Sequence, residues 1–373
     1  MHVAQINFVP APEGLAPAEV LEQWPSLVDI AEMVAACAIR VSVIQASTRT
    51  GRLTRNGIDY HFIDMSAMDS AASRCRRLAS ALDDIKVDVL HVHGLEFAAT
   101  AAVLSRCLPH LPMILQDHAN HPPRWWRRPQ WRRWYAAASG IAFTARDLAQ
   151  PFTSAGLFDP RTSLFEIPES SSRFMPGNRG NARVETGLYG SPCVLWVGHL
   201  SHRKDPLTVL NGVARASLRL PGLQLWCAFG SSPLMVEVRR RIARDPQLAG
   251  CVHLLGRVAH PRVERLMQAA DLFVSGSLAE GSGYALLEAL ACGLAPVVTN
   301  IPSFRALTGG GLVGRLWPAG DSARLAEALV SAATDPPSPA WVRAHFDAVL
   351  SFAAVGNQWA RVYAQVLDDR GAR

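Results

Sequence analysis

Lysine is almost missing from this sequence of 373 residues. Only Lys86 and Lys204 are lysines, and the rest of the 37 Lys and Arg residues are arginines. Because the sequence supplies generic positive charge with arginine, a lysine inside a motif is more informative here than in most proteins. A net charge of only +6 and a hydrophobic fraction of 49% exclude a disordered chain, which would combine few apolar residues with a large net charge.

Other absences narrow the class of protein further. The seven cysteines are scattered and form no CxxC pair, so neither a zinc site nor a redox pair is indicated, and they are predicted to be reduced core residues. No segment approaches the roughly 18 consecutive apolar residues of a membrane span. The first residues lack the basic start and apolar stretch of a signal peptide. These features predict a cytoplasmic location, with any membrane contact peripheral.

Strand-like apolar runs alternate with helical patterns in both halves of the sequence, which indicates parallel sheets covered on both faces. The length exceeds what one core usually organises, so two domains are expected. The fold class predicted is α/β, with two Rossmann-like doubly wound domains facing across a cleft, where ligands of such sheets bind. The predicted parts are an acceptor-side domain at 1–170, a linker at 171–192, a donor domain at 193–350, and a helix at 351–373 that packs back on the first domain.

The strongest motif is AEGSGYALLEALACG at 279–293, which places Glu280 and Glu288 eight positions apart. Glu280 follows a predicted strand, the small residues after it begin a helix, and Glu288 lies inside that helix. A helix start with exposed backbone N–H groups attracts phosphate. Eight helical residues rise about 12 Å, whereas the carboxylates of a glycosidase lie roughly 5–9.5 Å apart. The two glutamates are therefore expected at opposite ends of a long ligand.

This stretch resembles the Glu-x7-Glu signature of retaining family 4 glycosyltransferases, which have the GT-B fold. The similarity extends over VHLLGRVAHPRVERLMQAADLFVSGSLAEGSGYALLEALACGLAPVVTNIPSFRAL and GRLWPAGDSARLAEAL, most of the C-terminal half. The resemblance implies that Glu280 contacts hydroxyls of the donor sugar and that Glu288 binds the ribose. It also implies a loop around sugar and diphosphate, formed by Gly281, Ser282, Gly283 and Tyr284.

Upstream, WVGHLSHRKDPLTVL at 196–210 resembles the element of the same family that holds the donor diphosphate with an arginine and a lysine. Lys204 falls on the lysine position. His199 stands where the arginine is usual, and Arg203 is the candidate to replace the missing charge, because guanidinium and phosphate pair well. Arg257 and Val258 fall where relatives pass the backbone along the nucleobase.

In the N-terminal half, His118 falls where the family places an active-site histidine near the reacting sugar. Gly14 corresponds to the acceptor-side glycine loop, although consecutive glycines are lacking. Two alternatives stay open for the histidines. They form core or supporting contacts, or they bind a metal ion through His91, His93, His118 and His121, since HxH and HxxH spacings are common among ligands.

The resemblance implies a retaining glycosyltransferase that moves a sugar from a nucleotide diphosphate sugar to an acceptor, with a polysaccharide or glycolipid precursor as the family-level candidate. Retention is described in this family as attack from the face of the departing nucleotide, without an enzyme nucleophile. The sequence has no Asp-x-Asp motif, so no metal ion and no other cofactor are expected. The alternatives are a non-catalytic nucleotide-sugar-binding module and a nucleotide-sugar epimerase or hydrolase on the same fold.

Residues 121–135, HPPRWWRRPQWRRWY, combine five arginines and four tryptophans with no acidic residue. This composition suits the headgroup region of an anionic membrane and predicts a peripheral contact that serves a lipid-linked acceptor. The alternative is a helix with buried tryptophans and solvated arginines. Nucleic acid would attract the same charges, but no nucleic-acid motif accompanies them, so no nucleic-acid partner is expected.

Overall fold

The computed structural model describes residues 1–65 and 70–371. Within them the chain forms two compact units. The first consists of Met1–Ser170 and the chain from Phe352 onward, and the second is Ser171–Ser351. Each unit is an α/β sandwich around its own sheet, in agreement with the predicted class.

The first unit is built on an eight-stranded sheet with the order β3-β4-β2-β1-β5-β6-β7-β8. All neighbours are parallel except β3 and β4. β1 lies between β2 and β5, so the chain winds away from it in both directions and leaves a crevice at the carboxyl ends of β1 and β5. The strands are β1 (His2–Asn7), β2 (Arg40–Ser47), β3 (Gly51–Arg55), β4 (Ile58–Asp64), β5 (Val89–His93), β6 (Met113–Gln116), β7 (Gly140–Phe143) and β8 (Ser163–Glu166).

The hairpin of β3 and β4 was not predicted, although the sequence carries its signal. Asn56 and Gly57 connect the two strands, and both have positive φ, 51° and 76°. A two-residue turn of this kind matches the twist of antiparallel strands, and Asn-Gly is the pair that adopts it most readily.

Helices cover both faces of this sheet, as parallel strands require. Short 3₁₀ turns at Leu95–Phe97 and Trp125–Arg127 precede two of them. The helices are α1 (Pro17–Gln23), α2 (Pro25–Ala35), α3 (Ala71–Ile85), α4 (Ala98–Cys107), α5 (Arg128–Tyr135) and α6 (Arg146–Ser154).

The second unit contains a six-stranded parallel sheet with the order β11-β10-β9-β12-β13-β14, which is the Rossmann order. The switch point lies at β9, between β10 and β12. The strands are β9 (Cys193–Gly198), β10 (Gln224–Phe229), β11 (Val252–Gly256), β12 (Leu272–Ser275), β13 (Ala295–Thr299) and β14 (Arg315–Trp317).

The segment 171–192, predicted as a linker, belongs to the second unit and contains a helix, α7 (Arg179–Thr186). The Asn178 side chain caps it by accepting from the Asn181 N–H. Arg183 ties it to the unit with a 2.7 Å ion pair to Asp271. The linker prediction failed because α7 is short and polar, and holds its place through these contacts rather than through an apolar stripe.

The remaining helices of the second unit pack on the two faces of its sheet. Apolar side chains of α8 and α14 fill one core, and those of α11 and α12 fill the other. A π-helical turn at Phe346–Leu350 ends the unit. The helices are α8 (Pro206–Ser217), α9 (Met235–Ala243), α10 (Pro246–Cys251), α11 (His260–Ala269), α12 (Tyr284–Ala291), α13 (Pro302–Leu307), α14 (Ser322–Thr334) and α15 (Pro339–His345).

The last helix, α16 (Phe352–Gly371), leaves the second unit and packs in the core of the first. Its apolar residues recur at steps of three and four and form a stripe that contacts that core. Five of them are buried and Phe352 is partly buried; the five are Val355, Trp359, Val362, Tyr363 and Val366. Gly356 marks its closest approach to α2, because a Cβ there would lie 2.4 Å from the Met33 carbonyl oxygen and 3.0 Å from the Cys37 Sγ.

This approach predicts that Gly356→Ala destabilises the protein. Helix propensity alone predicts the opposite, since Ala is better than Gly by about 1 kcal/mol in a helix, but overpacking costs roughly 1–3 kcal/mol. Gly250 in α10 is the matched control, because a Cβ there would meet no atom within 4 Å. Thermal unfolding should show a lower Tm for Gly356→Ala and an unchanged or higher Tm for Gly250→Ala. A raised Tm for Gly356→Ala would contradict the packing of α16.

Candidate functional site

In the second unit, the turn that carries Lys204 follows β9 and the loop that carries Glu280 follows β12. These strands are neighbours, so both segments lie at the switch point of the sheet. Asp205 sits in the left-handed region (φ 43°) and caps α8 by accepting from the Thr208 N–H at 3.3 Å. Gly276 allows the turn to approach, because a Cβ there would lie 3.1 Å from the Asp205 carbonyl oxygen.

Glu280 is the electrostatic centre of this arrangement. Its residue is only 7% exposed, and its carboxylate pairs with the Lys204 ammonium and, at 3.3 Å, with Arg203 Nη2. A backbone bond of 2.9 Å from the Leu278 N–H to the Arg203 carbonyl closes the loop against the turn. Two cations face one carboxylate, which leaves a net positive charge suited to an anionic ligand.

The loop after Glu280 leads into the start of α12. Gly283 precedes the helix with a φ of 61°, and a Cβ on it would lie 3.0 Å from Leu307 Cδ1, so glycine suits both the conformation and the space. Gly281 is buried, Ser282 half-buried and Tyr284 exposed. The start of a helix carries partial positive charge, so α12 adds to the field of the two cations.

Glu288 lies inside α12 and has a different partner from Glu280. Its carboxylate accepts a 2.6 Å hydrogen bond from His260 Nε2, at the start of α11. The His260 ring packs at 4.9 Å from that of Phe174. The sequence analysis missed His260, because the contact depends on α11 and α12 being neighbours and no motif marks it. The structure thus keeps Glu280 and Glu288 in separate environments.

His199 follows β9, at the position where an arginine was expected. Its Nδ1 accepts a 3.1 Å hydrogen bond from the Ser231 N–H. A ring nitrogen that accepts carries no proton, so this imidazole is neutral and its Nε2 is a donor. Arg257 is exposed and Val258 half-buried at the carboxyl end of β11. His199 therefore brings no cation, and Arg203 is the guanidinium beside Lys204.

In the first unit, His118 follows β6 in a turn held by its neighbours. Asp117 is buried and accepts from the Ala119 and Asn120 N–H groups at 3.1 and 2.9 Å. Burial raises the pKa of Asp117 to about 7, in part offset by these bonds. Ala119 has a φ of 59°, and Asn120 ties the turn to the end of β5 by accepting from the Leu95 N–H.

His118 pairs with Glu169, which lies three residues after β8. The His118 Nδ1 is 3.2 Å from Glu169 Oε2, and the glutamate side chain is 4% exposed. Burial lowers the pKa of His118, but the hydrogen bond and charge of Glu169 outweigh it, so the pKa is raised above 6.5. Glu169 was not predicted, because the polar stretch around it reads as a loop. Glu169 thereby favours the protonated form of the imidazole, in which Nε2 remains as a donor.

A cavity of about 350 Å³ lies at the carboxyl ends of β1 and β5, where a ligand of this sheet is expected. His118 and His93 line it together with Glu96, Asn7 and Trp24. Gly14, in the loop after β1, is exposed with a φ of 83° and is not among the lining residues of the described chain. The structure therefore brings His118, but not Gly14, to this cavity.

A second cavity, about 420 Å³, lies in the second unit. Its lining includes Leu272 and Ala295, the first residues of β12 and β13, and the paired side chains of Arg179 and Asp271. It is thus at the amino ends of the strands and contains none of the motif residues.

Comparisons with known proteins identify the second unit. Residues 191–335 match the family described as Glycosyl transferases group 1. The chain contains a group 1 glycosyltransferase domain. A curated relative, the GDP-mannose:cellobiosyl-diphosphopolyprenol alpha-mannosyltransferase of Xanthomonas oryzae, is 26% identical over 62% of this chain and 61% of its own length. The chain therefore spans about three fifths of the length of this relative.

Solved structures match almost the whole chain. A glycosyltransferase from Rickettsia africae has a TM-score of 0.74 and 11% identity, covering 98% of each chain. The Anabaena HepE protein in complex with UDP has a TM-score of 0.73 and 17% identity, covering 98% of this chain and all of that one. At these identities the matches establish the fold alone, which is the GT-B fold that the sequence predicted.

The histidines of the first unit form a column of rings. His91 packs 4.3 Å from Trp359 of α16 and 4.5 Å from His93, which stacks at 5.6 Å on His118. Burial lowers the pKa of His91 to about 3 and the pKa of His93 as well. Across residues 1–65 and 70–371, no group of three His, Cys, Asp or Glu side chains is arranged to hold a metal ion.

Each of the two interpretations of segment 121–135 fits one part of it: the first two tryptophans are exposed and the last two are packed. Trp125 and Trp126 are 73% and 55% exposed, with Arg124 stacked over Trp126 at 5.3 Å. Trp131 and Trp134 instead pack on the core of the first unit and hold α5 in place. Among the described helices, none has both the length and the apolar character needed to cross a membrane.

The ion pair of His118 predicts a pH-dependent effect of Glu169→Gln. A histidine with a raised pKa contributes stability that is complete below 6.5 and is lost as the pH rises through the folded value. The variant should lower the pKa of His118, measured by NMR titration, and should lower the unfolding midpoint at about pH 5.5 more than at about pH 8.5. Glu166→Gln, an exposed change on β8, is the control. An unchanged His118 pKa in Glu169→Gln would refute the pairing.

Proposed function

We propose that the protein is a retaining glycosyltransferase whose second unit binds a nucleotide diphosphate sugar and whose first unit binds the acceptor. The observation that carries the proposal is the cluster of Lys204, Arg203 and Glu280 at the switch point, beside the start of α12. Its support lies in the group 1 domain and in the complex of a structural neighbour with UDP.

In this proposal the donor diphosphate binds to the Lys204 ammonium and the Arg203 guanidinium, and the amides at the start of α12 add hydrogen bonds. Glu280 then accepts hydrogen bonds from sugar hydroxyls. Glu288, positioned by His260, accepts from the ribose hydroxyls, and the backbone at Arg257 and Val258 borders the base. His199 contributes a neutral donor through Nε2, so the clamp carries its charge on two adjacent residues of one turn.

The reaction breaks the bond between the anomeric carbon of the sugar and the diphosphate oxygen. A bond forms from the acceptor hydroxyl oxygen to the same face of that carbon, and the hydroxyl proton leaves with the diphosphate. Negative charge grows on the leaving group, and fixed cations stabilise it without the need to reorganise. Because Lys204 and Arg203 supply that charge, we propose that no metal ion is required.

The clamp predicts the behaviour of a Lys204→Ala, Arg203→Ala double variant. The wild-type protein should gain thermal stability from UDP, GDP or ADP, since a ligand at 100 times its Kd contributes about 2.7 kcal/mol. EDTA should leave this gain unchanged, and the double variant should lose it. With an acceptor identified, Lys204→Ala should lower turnover by about two to three orders of magnitude.

Arg324→Ala, which removes an exposed arginine on α14, is the control for loss of charge alone. A double variant that keeps the wild-type thermal shift would eliminate the clamp. A shift that disappears in EDTA and returns with Mg²⁺ would contradict metal independence. Nucleotide release from the donor sugar in the absence of acceptor would favour a hydrolase, and ligand binding without any release would favour a binding module.

We further propose that the exposed part of segment 121–135 contacts an anionic membrane, where a lipid-linked acceptor would reside. The two exposed tryptophans suit the headgroup region, and the surrounding arginines are attracted to anionic lipid. No acidic residue occurs in the segment to oppose that attraction.

This surface predicts salt-sensitive binding to vesicles that contain phosphatidylglycerol and none to neutral vesicles. A Trp125→Ser, Trp126→Ser variant should bind several-fold more weakly, because interfacial tryptophans anchor a protein at the headgroups. Trp341→Ser, which removes a tryptophan that is 51% exposed in the second unit, should bind like wild type. Equal vesicle binding by all three proteins, or none by wild type at low salt, would exclude the contact.

A further inference from the structure

The cavity of the first unit is lined by few charged side chains, although the sequence is rich in arginine. None of its lining residues in the described chain is lysine or arginine. The lining residues that can carry charge are Glu96 and His118, and His118 already faces Glu169. Burial lowers the pKa of His93, and Asp117 is buried in the turn that carries His118.

A phosphate in this cavity would meet an unfavourable field. Its charge would be partly desolvated next to the Glu96 carboxylate, and His118, which gains a positive charge on protonation, already faces Glu169. Buried charges in proteins require a partner of opposite sign. A sugar phosphate therefore finds no complement here, in contrast with the Lys204 and Arg203 clamp of the second unit.

Apolar side chains and one large ring, that of Trp24, make up much of the lining of the cavity. Trp24 lies at the junction of α1 and α2, where Pro25 begins the second helix, and it is half-buried against the core. The other apolar lining residues are Val9, Leu27, Ile30 and Phe97. A pyranose ring presents its C–H bonds on its faces, so one face fits against an aromatic surface while the hydroxyls at the rim reach polar groups.

The lining also contains hydrogen-bonding groups. Asn7 and Gln5 come from the end of β1, and the Gln5 amide nitrogen is buried without a hydrogen-bond partner in the described chain. An unused buried donor costs about 1–3 kcal/mol. Together with Glu96 and the His118 ring, these groups match the donors and acceptors of an uncharged polyol.

We infer that this cavity binds the acceptor as a neutral glycosyl unit, stacked on Trp24, and that it excludes sugar phosphates. That the bound sugar is an acceptor rests on the proposed function. That a neutral sugar binds in this cavity does not depend on it. In a lipid-linked acceptor, the sugar that enters the cavity is then an uncharged terminal residue, distant from any phosphate of the carrier.

The test is binding of small sugars to the full chain, measured by saturation-transfer NMR and by titration of ring signals. The probes are cellobiose, methyl α-mannoside and methyl α-glucoside, compared with mannose 6-phosphate and glucose 6-phosphate. At least one neutral sugar should bind saturably and neither phosphate should. Trp24→Ala should weaken the neutral sugar about tenfold, the upper end of what an aromatic contact contributes, while Trp24→Phe should retain most of the affinity.

Trp341→Ala is the control for loss of an exposed tryptophan, and Glu96→Gln tests the charge argument, since it should improve binding of the phosphates relative to the neutral sugars. Tighter binding of a sugar phosphate than of its neutral counterpart would overturn the inference, as would saturable binding by no sugar of the panel. The thermal shifts with UDP, GDP and ADP report on the second unit separately. A failed donor site and a failed acceptor class are therefore distinguishable.

Discussion

Glu280 brings a negative charge into the interior of the second unit, where only 7% of the residue is exposed. Removing one partner of a buried ion pair leaves a charge that costs about 3–5 kcal/mol, so the carboxylate requires Lys204 and Arg203 beside it. This requirement fixes the turn after β9 against the loop after β12. The same contacts hold two cations together at the start of α12, where their mutual repulsion would otherwise separate them. A ligand with two phosphates offers those cations a second partner.

The first unit also pairs a basic side chain with a buried carboxylate, but there the basic group is His118 and the carboxylate, Glu169, favours its charged form. Desolvation by itself lowers the pKa of His118, as it does the pKa values of His93 and His91, although 33% of the His118 side chain is exposed. Glu169 reverses that tendency for one ring of the column. When His118 is protonated, Glu169 balances its charge within the protein, and Nε2 is left as an N–H donor. The two units therefore differ in whether the positive charge at their site is available to a ligand.

Much of this arrangement is predictable because it depends on local patterns. The alternation of strands and helices indicated two parallel sheets, the spacing of Glu280 and Glu288 indicated the loop and helix that carry them, and the apolar stripe of α16 marked its buried face. Lys204 stood out through the scarcity of lysine. The hairpin at Asn56 and Gly57 had a local signal as well, and it was overlooked.

The remaining contacts depend on which elements are neighbours in space, and the sequence does not contain that information in local form. Glu169 and His118 are 51 positions apart and meet because β6, β7 and β8 are adjacent in the sheet. His260 and Glu288 meet through the packing of α11 beside α12. The charge state of each site follows from these distant pairs. A motif can therefore identify the residues of the Lys204, Arg203 and Glu280 cluster, whereas the charge of the cavity in the first unit becomes visible only when its lining is assembled and found to contain, within the described chain, no lysine or arginine.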